Sequence, residues 1–120
     1  MTHSHPTVGL ALAEAVADRL EAGQILAHRH PEYCGIGLQC VNGVFIVAEA
    51  TDGEMPNESQ YQQYKQRGDE IEFQAFHSRA QFVAWLAAQS DDSLSGQELA
   101  NEWSRNNQRL TLARLQGFIA

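Results

Sequence analysis

Histidine and cysteine often act in catalysis or bind metal ions, and three of these residues lie close together in this chain. His28 and His30 are followed by Cys34 in an H-x-H-x₃-C spacing, and Cys40 and His77 are two further candidates. A tetrahedral zinc site needs four converging ligands, which usually come as two closely spaced pairs. The second pair is missing, so the pattern favours loop or core residues over a metal site.

A thiol nucleophile is the next catalytic option. A reactive cysteine needs an electropositive and partly exposed position, such as a helix N-terminus, where its thiolate is stabilised. Cys34 and Cys40 instead fall on the apolar face of a predicted strand. Because about 20 Å of extended chain separates them, they are beyond disulfide reach. We therefore expect reduced core thiols, which are typical of a cytosolic protein.

Two carboxylate pairs are also present, Glu70 with Glu72 and Asp91 with Asp92. General acid–base catalysis needs one carboxyl in an apolar pocket that raises its pKa. The first pair is expected to face solvent on a strand, and the second to lie in a turn between helices. The glycines around Ile36 lack the third glycine of a phosphate-binding loop. The sequence thus offers no active site, and neither an enzyme nor a cofactor is expected.

Length and charge restrict the class of protein. The chain has 120 residues, which fits one domain over 7–120 after a flexible tail at 1–6. Its formal net charge is −7, with eight basic and fifteen acidic residues, so direct nucleic-acid binding is disfavoured. The first residues lack the basic region and long apolar core of a secretory signal, so no leader is expected, and no apolar run approaches the ~20 residues of a membrane span. A cytoplasmic protein without membrane contact is expected.

The first predicted element is an amphipathic helix over 7–22. Apolar residues recur on one face at helical spacing, while Glu14, Asp18 and Glu21 lie off that face. Gly23 is placed to end the helix in a left-handed conformation.

A β-hairpin follows. Two apolar runs, 33–41 and 44–50, flank Asn42-Gly43, the pair preferred in a two-residue type I′ turn. The second run is apolar on both faces, as a central strand would be. In the first run both cysteines share one face with the branched apolar residues, and Gln39 lies on the other.

A third strand is predicted over 70–77 from strict alternation, which favours an antiparallel sheet with one solvent-exposed face. The residues expected to point inward are Ile71, Phe73 and Ala75. Those expected to point to solvent are Glu70, Glu72 and Gln74, together with Gln39 of the hairpin. The next helix is expected to cover Ile71 and Phe73 with Phe82, Val83 and Leu86.

The segment 51–69 is the hardest to interpret. Its turn-forming residues favour a short helix over 58–66, capped by Asn57 and closed by Gly68. The alternative is an extended arm that lengthens the hairpin.

The C-terminal third is rich in helix-start signals. Ser78 with Gln81 and Ser95 with Glu98 form capping boxes, and Thr111 opens a third helix. The expected fold class is α+β: an N-terminal helix, a three-stranded antiparallel meander, and three C-terminal helices packed on one face of the sheet.

Charge is concentrated between Glu49 and Glu72, where seven acidic residues stand against two basic ones. Acidic groups steer a basic partner, and tyrosines supply contact area at low entropy cost. A solvated loop whose tyrosines pack locally is the competing interpretation. The residues predicted to bind a partner are Asp52, Glu54, Glu58, Tyr61, Tyr64, Asp69, Glu70 and Glu72.

The C-terminal third also resembles a known group of proteins. The residues F-V-x-W-L-A-x-Q-S-D-x-S-L-S-G from Phe82 to Gly96, and N-N-Q-R-L-T from Asn106 to Thr111, are similar to small immunity proteins encoded beside toxins of bacterial contact-dependent inhibition and related polymorphic toxin systems. The resemblance spans about residues 70–119 and consists of caps, turns and core positions. It implies a cytosolic, non-enzymatic protein that binds a cognate toxin, with no shared catalytic residues.

Residues and resemblance together predict a binding protein that neutralises a cognate toxin through an acidic surface. A nuclease domain would suit as the toxin, because its substrate demands a basic groove. Two alternatives stay open: a small metal-binding or thiol enzyme that uses His28, His30 and Cys34, and a dimeric module that binds a small ligand.

Overall fold

The computed structural model describes residues 6–26, 34–51, 57–68, 73–95 and 110–120. The elements within these ranges are α1 (Gly9–Glu21), β1 (Cys34–Val41), β2 (Val44–Thr51), α2 (Glu58–Gln66), β3 (Phe73–Phe76), α3 (Arg79–Ala87), α4 (Asp91–Ser95) and α5 (Leu112–Ile119). The strands form an antiparallel meander in the order β1-β2-β3, which confirms the α+β class and the predicted sheet. No helix within the described ranges has both the length and the apolar character needed to cross a membrane.

Helix α1 forms where the amphipathic pattern predicted, and it ends as expected. Gly23 has a φ of +95° and donates its N–H to the Leu20 carbonyl at 3.0 Å. The helix begins two residues later than predicted, because Thr7 and Val8 are tied to the chain after α3. Val8 N donates to Gln89 O at 2.8 Å, and Thr7 forms an isolated bridge with Ser90.

The hairpin has the predicted type I′ geometry. Asn42 and Gly43 both have positive φ, at 52° and 80°, as the two central residues of this turn require. Val41 pairs with Val44 directly across it. The turn fixes the register, so β1 presents Leu38 to the helices, where it is fully buried.

One face of the sheet is covered by α1 and α3, as predicted. Phe45 of β2 stacks on Phe82 of α3 with ring centroids 4.7 Å apart, and α1 packs along α3. The buried residues of this core include Val16, Leu20, Leu38, Phe45, Phe82, Leu86, Leu110 and Leu115.

The predicted facing of the third strand is wrong in the part that the structure describes. Phe76 is opposite Phe45 and packs against the core residue Phe82 with centroids 5.9 Å apart, so Phe76 faces the core helices. Phe73 and Ala75 therefore lie on the opposite face, and Gln74 lies on the face that α1 and α3 cover. The pattern was ambiguous because the two phenylalanines are an odd number of residues apart. Ile71, Glu70 and Glu72 lie outside the described residues.

The second face of the sheet is not the solvent-exposed face that was expected. Ile46 is only 1% exposed and Gln39 only 7%. Helix α2 lies over this face and stacks its Tyr61 on Phe73. Helix α2 therefore packs on the face opposite to α1 and α3.

Two of the three predicted C-terminal helix starts are observed. Ser78 Oγ accepts from Gln81 N at 3.1 Å, and Thr111 Oγ1 accepts from Arg114 N at 3.1 Å. Asp91, expected in a turn, begins the one-turn helix α4, and its carboxylate accepts from Leu112 N at 2.8 Å. Ser95 ends α4, and the helix predicted to start there falls on residues outside the described ranges.

Candidate functional site

Three of the eight predicted partner-binding residues can be placed, and all three lie on α2. Glu58 is the first residue of the helix, and Tyr61 and Tyr64 follow one and two turns later. The other five lie outside the described residues: Asp52, Glu54, Asp69, Glu70 and Glu72. We use the name α2 surface for Glu58, Tyr61 and Tyr64.

Helix α2 is specified by its own ends. Asn57 Oδ1 accepts from Gln60 N at 2.8 Å, and Gln60 Oε1 accepts from Asn57 N at 2.9 Å, which completes a capping box. Gly68 closes the segment with a φ of +86°. The helix predicted over 58–66 is confirmed to the residue. Since none of its nine residues is buried, α2 depends on these caps and on a few side-chain contacts.

The first contact is an aromatic stack. The rings of Tyr61 and Phe73 are nearly parallel, with an interplanar angle of 6° and centroids 4.0 Å apart. Lys65 Nζ lies 5.4 Å from the Tyr61 centroid, within cation–π range. Tyr61 thus joins α2 to the edge strand of the sheet. Its ring serves an intramolecular contact, which the sequence pattern did not reveal.

The second contact joins a carboxylate to an imidazole. Glu58 Oε2 lies 3.0 Å from His77 Nε2, just beyond the end of β3. The side chains are 39% and 65% exposed, so solvent screens the pair and its contribution to stability is small. His77, a candidate for metal or thiol chemistry in the sequence, is instead a partner of α2.

Tyr64 differs from Tyr61 in its surroundings. Its ring is partly exposed, and the Arg67 guanidinium lies 5.1 Å from its centroid. Lys65 and Arg67 stand beside the tyrosines, whereas the one acid of α2, Glu58, stands at the opposite end of the helix. The acidic residues of the 49–72 segment therefore come mainly before and after α2 in sequence.

A shallow groove separates the N-terminus of α2 from the tip of the hairpin. It encloses about 210 Å³, and we call it the hairpin groove. Its lining residues are Val41, Asn42, Val44 and Ile46 on the sheet and Asn57, Glu58 and Ser59 on α2. Sequence reasoning missed this groove because it placed no helix over this face of the sheet.

A second cleft lies between the sheet and helices α3 and α4. It is lined by Ile36, Val47, Phe73, Gln74, Trp85, Gln89, Ser93, Leu94 and Leu110. Its free space is about 80 Å³, well below the roughly 300–1,000 Å³ of pockets that hold drug-sized ligands. The cleft by itself therefore does not favour a module that binds a small ligand.

The candidate metal and thiol residues are only partly described. His28 and His30 lie outside the described residues, and Cys40 shares a strand face with Leu38, as predicted. Burial raises the pKa of the Cys40 thiol, which lowers its thiolate fraction at neutral pH. In the ranges that the structure covers, no group of three or more His, Cys, Asp or Glu residues is arranged to hold a metal ion.

The largest charge cluster was not foreseen. Arg79, the first residue of α3, donates to Glu14 at 2.5 Å, to Asp18 at 2.8 Å and to Glu21, all on α1. The three carboxylates raise the pKa of the Arg79 guanidinium further above its usual range. Their spacing on one helix face was a signal in the sequence, but nothing there identified the cation that they bind. The cluster joins α1 to α3 and has a structural role.

Family models, curated proteins and solved structures were compared with the chain, and none of the three comparisons gave a match.

Proposed function

We propose that this protein is a cytoplasmic, non-enzymatic inhibitor of the immunity type, which neutralises a cognate toxin by binding it. The proposed binding region is the α2 surface together with the acidic residues on either side of it in sequence. Its members are Asp52, Glu54, Glu58, Tyr61, Tyr64, Asp69, Glu70 and Glu72.

The observation that carries the proposal is the position of α2 within the charge pattern. A capped helix that buries none of its residues stands in the middle of a segment with seven acidic and two basic residues. An element that contributes so little to the core is free to vary in its surface residues without loss of the fold. Its neighbouring carboxylates would raise the association rate of a basic partner.

The two tyrosines have different roles in this proposal. Tyr61 holds α2 against Phe73, so its contribution to binding is to keep the helix in place. Tyr64 forms no such stack with any described residue and acts as the direct contact with the toxin. Buried tyrosines at interface centres are typical binding hot spots, and their truncation costs about 2 kcal/mol or more.

The chemistry of the toxin follows from complementarity. A surface flanked by carboxylates fits a partner with a cationic face, and a nuclease domain needs such a face to bind its phosphate-rich substrate. A basic nuclease domain is therefore the toxin class that suits this region.

The test starts from the reading frames next to the gene for this protein. A toxin encoded there should arrest cell growth when expressed alone and should not when this protein is co-expressed. Calorimetry with the purified toxin domain should give tight binding, and Tyr64→Ala should weaken it about thirtyfold or more, as expected of a hot spot. If no adjacent toxin binds, the proposed function is wrong.

A charge variant tests the location of the site. Glu58→Lys should weaken binding and slow association, most clearly at low salt, where electrostatic steering is strongest. Ala84→Lys, which adds a lysine to the exposed side of α3, is the control and should bind like the parent. If Glu58→Lys and Tyr64→Ala both bind like the parent, the toxin contacts another surface.

A further inference from the structure

We propose that the hairpin groove is a receptor for one basic side chain, an arginine or a lysine, of the partner protein. The inference rests on the proposed function for the source of that side chain. The residues that line the groove combine apolar side chains of the sheet with one acidic residue of α2, Glu58.

The floor suits the methylene stem of a long side chain. Val44 and Ile46 lie on the face of the sheet that α2 covers, and Val41 is 38% exposed at the open end. Arginine and lysine bury their stems along apolar surface and keep the charged group at a polar rim. The groove has such a rim, formed by Asn42 on the hairpin and by Asn57 and Ser59 on the helix.

The acidic residue of the groove favours a cationic ligand. Among the described residues that line the groove Glu58 is the one acid, and its Oε2 lies 3.0 Å from His77 Nε2. Among the described residues nothing forms a hydrogen bond or ion pair with Oε1. Because a carboxylate accepts several hydrogen bonds, Oε1 can take a guanidinium or ammonium N–H.

Two of the N–H groups at the start of α2 already have acceptors within the capping box. The Gln60 N–H is satisfied by Asn57 Oδ1, and the Asn57 N–H by Gln60 Oε1. The Glu58 carboxylate also neutralises the positive end of the helix dipole. An acidic side chain would meet a like charge in this groove, and a neutral one would leave Oε1 without its donor.

The experiment uses a peptide probe rather than the toxin. The ¹⁵N-labelled protein is titrated with acetyl-Gly-Arg-Gly-amide and with the same peptide carrying citrulline, the neutral isostere of arginine. The arginine peptide should shift the amide resonances of Asn42, Val44 and Ser59 in a saturable way, and citrulline should do so several-fold less. Equal shifts with both peptides, or no shifts at these residues, would overturn the inference.

Three variants locate the charge that the peptide contacts. Glu58→Gln should weaken the arginine peptide about two- to fivefold, the range expected for an exposed ion pair. Asp18→Asn removes the same charge on α1 and should leave the titration unchanged. His77→Ala frees the second oxygen of Glu58 and should bind the peptide at least as well as the parent. Weaker binding by His77→Ala would show that the histidine is the actual contact and would overturn the assignment to Glu58.

Failure of the groove and failure of the function can be separated. If the peptide binds as described and no adjacent toxin does, the receptor stands and the proposed source of its ligand is wrong. If a toxin binds and is insensitive to Glu58→Gln, while the peptide gives no shifts, the function stands and the groove is not its anchor.

Discussion

Helices α2 and α3 begin with the same kind of N-terminal cap, but α3 belongs to the core and α2 lies on the surface. Asn57 and Ser78 both cap through a side-chain oxygen that accepts from the backbone N–H of a glutamine three residues on. Helix α2 has the complete box, yet none of its residues is buried, whereas α3 buries Phe82, Val83 and Leu86. A cap therefore fixes where a helix begins, and the apolar residues that follow decide whether it joins the core.

The two helices also differ in how they are attached to the rest of the fold. Helix α3 stacks Phe82 on Phe45 inside the core and is tied to α1 through Arg79 and three carboxylates. Within the described part of the chain, α2 is attached through a partly exposed stack and an exposed contact between Glu58 and His77. Local opening is easiest where few apolar contacts are buried, so we expect α2 to open more readily than α3.

The largest loss of stability should follow from removing the aromatic side chain through which α3 packs in the core. Phe82→Ala removes a fully buried ring between Phe45 and Phe76 and should lower the free energy of unfolding by about 3–5 kcal/mol, as measured by urea titration. Phe82→Leu, which keeps most of the apolar volume, should lose clearly less and serves if the alanine variant does not fold. A loss below about 1 kcal/mol for Phe82→Ala would contradict the assignment of α3 to the core.

A smaller and more local effect is expected from the α2 stack. Tyr61→Ala should lower the free energy of unfolding by about 1–2 kcal/mol, because it removes the aromatic contact with Phe73. Amide hydrogen exchange should become faster in α2, while the slow amides of α3 change little. Tyr64→Ala is the matched control and should leave stability nearly unchanged. If the two variants destabilise equally, Tyr61 is not the attachment of α2.

The smallest losses of stability are expected from removing the polar side-chain contacts that attach each helix to its neighbours. Arg79→Gln disconnects α3 from Glu14, Asp18 and Glu21 and should lower the free energy of unfolding by roughly 1 kcal/mol at low salt. His77→Ala removes the contact that Glu58 of α2 makes with His77 and should have a smaller effect. The loss from Arg79→Gln should shrink at high salt, since screening weakens exposed pairs in the parent. If the Arg79→Gln loss is unchanged by salt, the cluster acts through packing rather than charge.

Local signals determined several turns and helix ends of this protein by themselves. The type I′ turn at Asn42-Gly43, the end of α1 at Gly23, and the whole of α2 between Asn57 and Gly68 follow from residues that interact within a few positions of each other. Backbone conformation and capping at such sites depend on the local sequence alone, which is why these predictions are confirmed.

Only the tertiary structure decided which side chains of β3 face the core helices and which rings they contact. Phe73 and Phe76 are equally apolar, so alternation could not say which one faces the core helices. The register with β2 turned Phe76 toward Phe82, and Tyr61 of α2 then covered Phe73. The same holds for the hairpin groove, because its two walls come from segments whose contact no local pattern specifies. Side-chain periodicity gives the spacing of residues on a face, and long-range packing decides what that face meets.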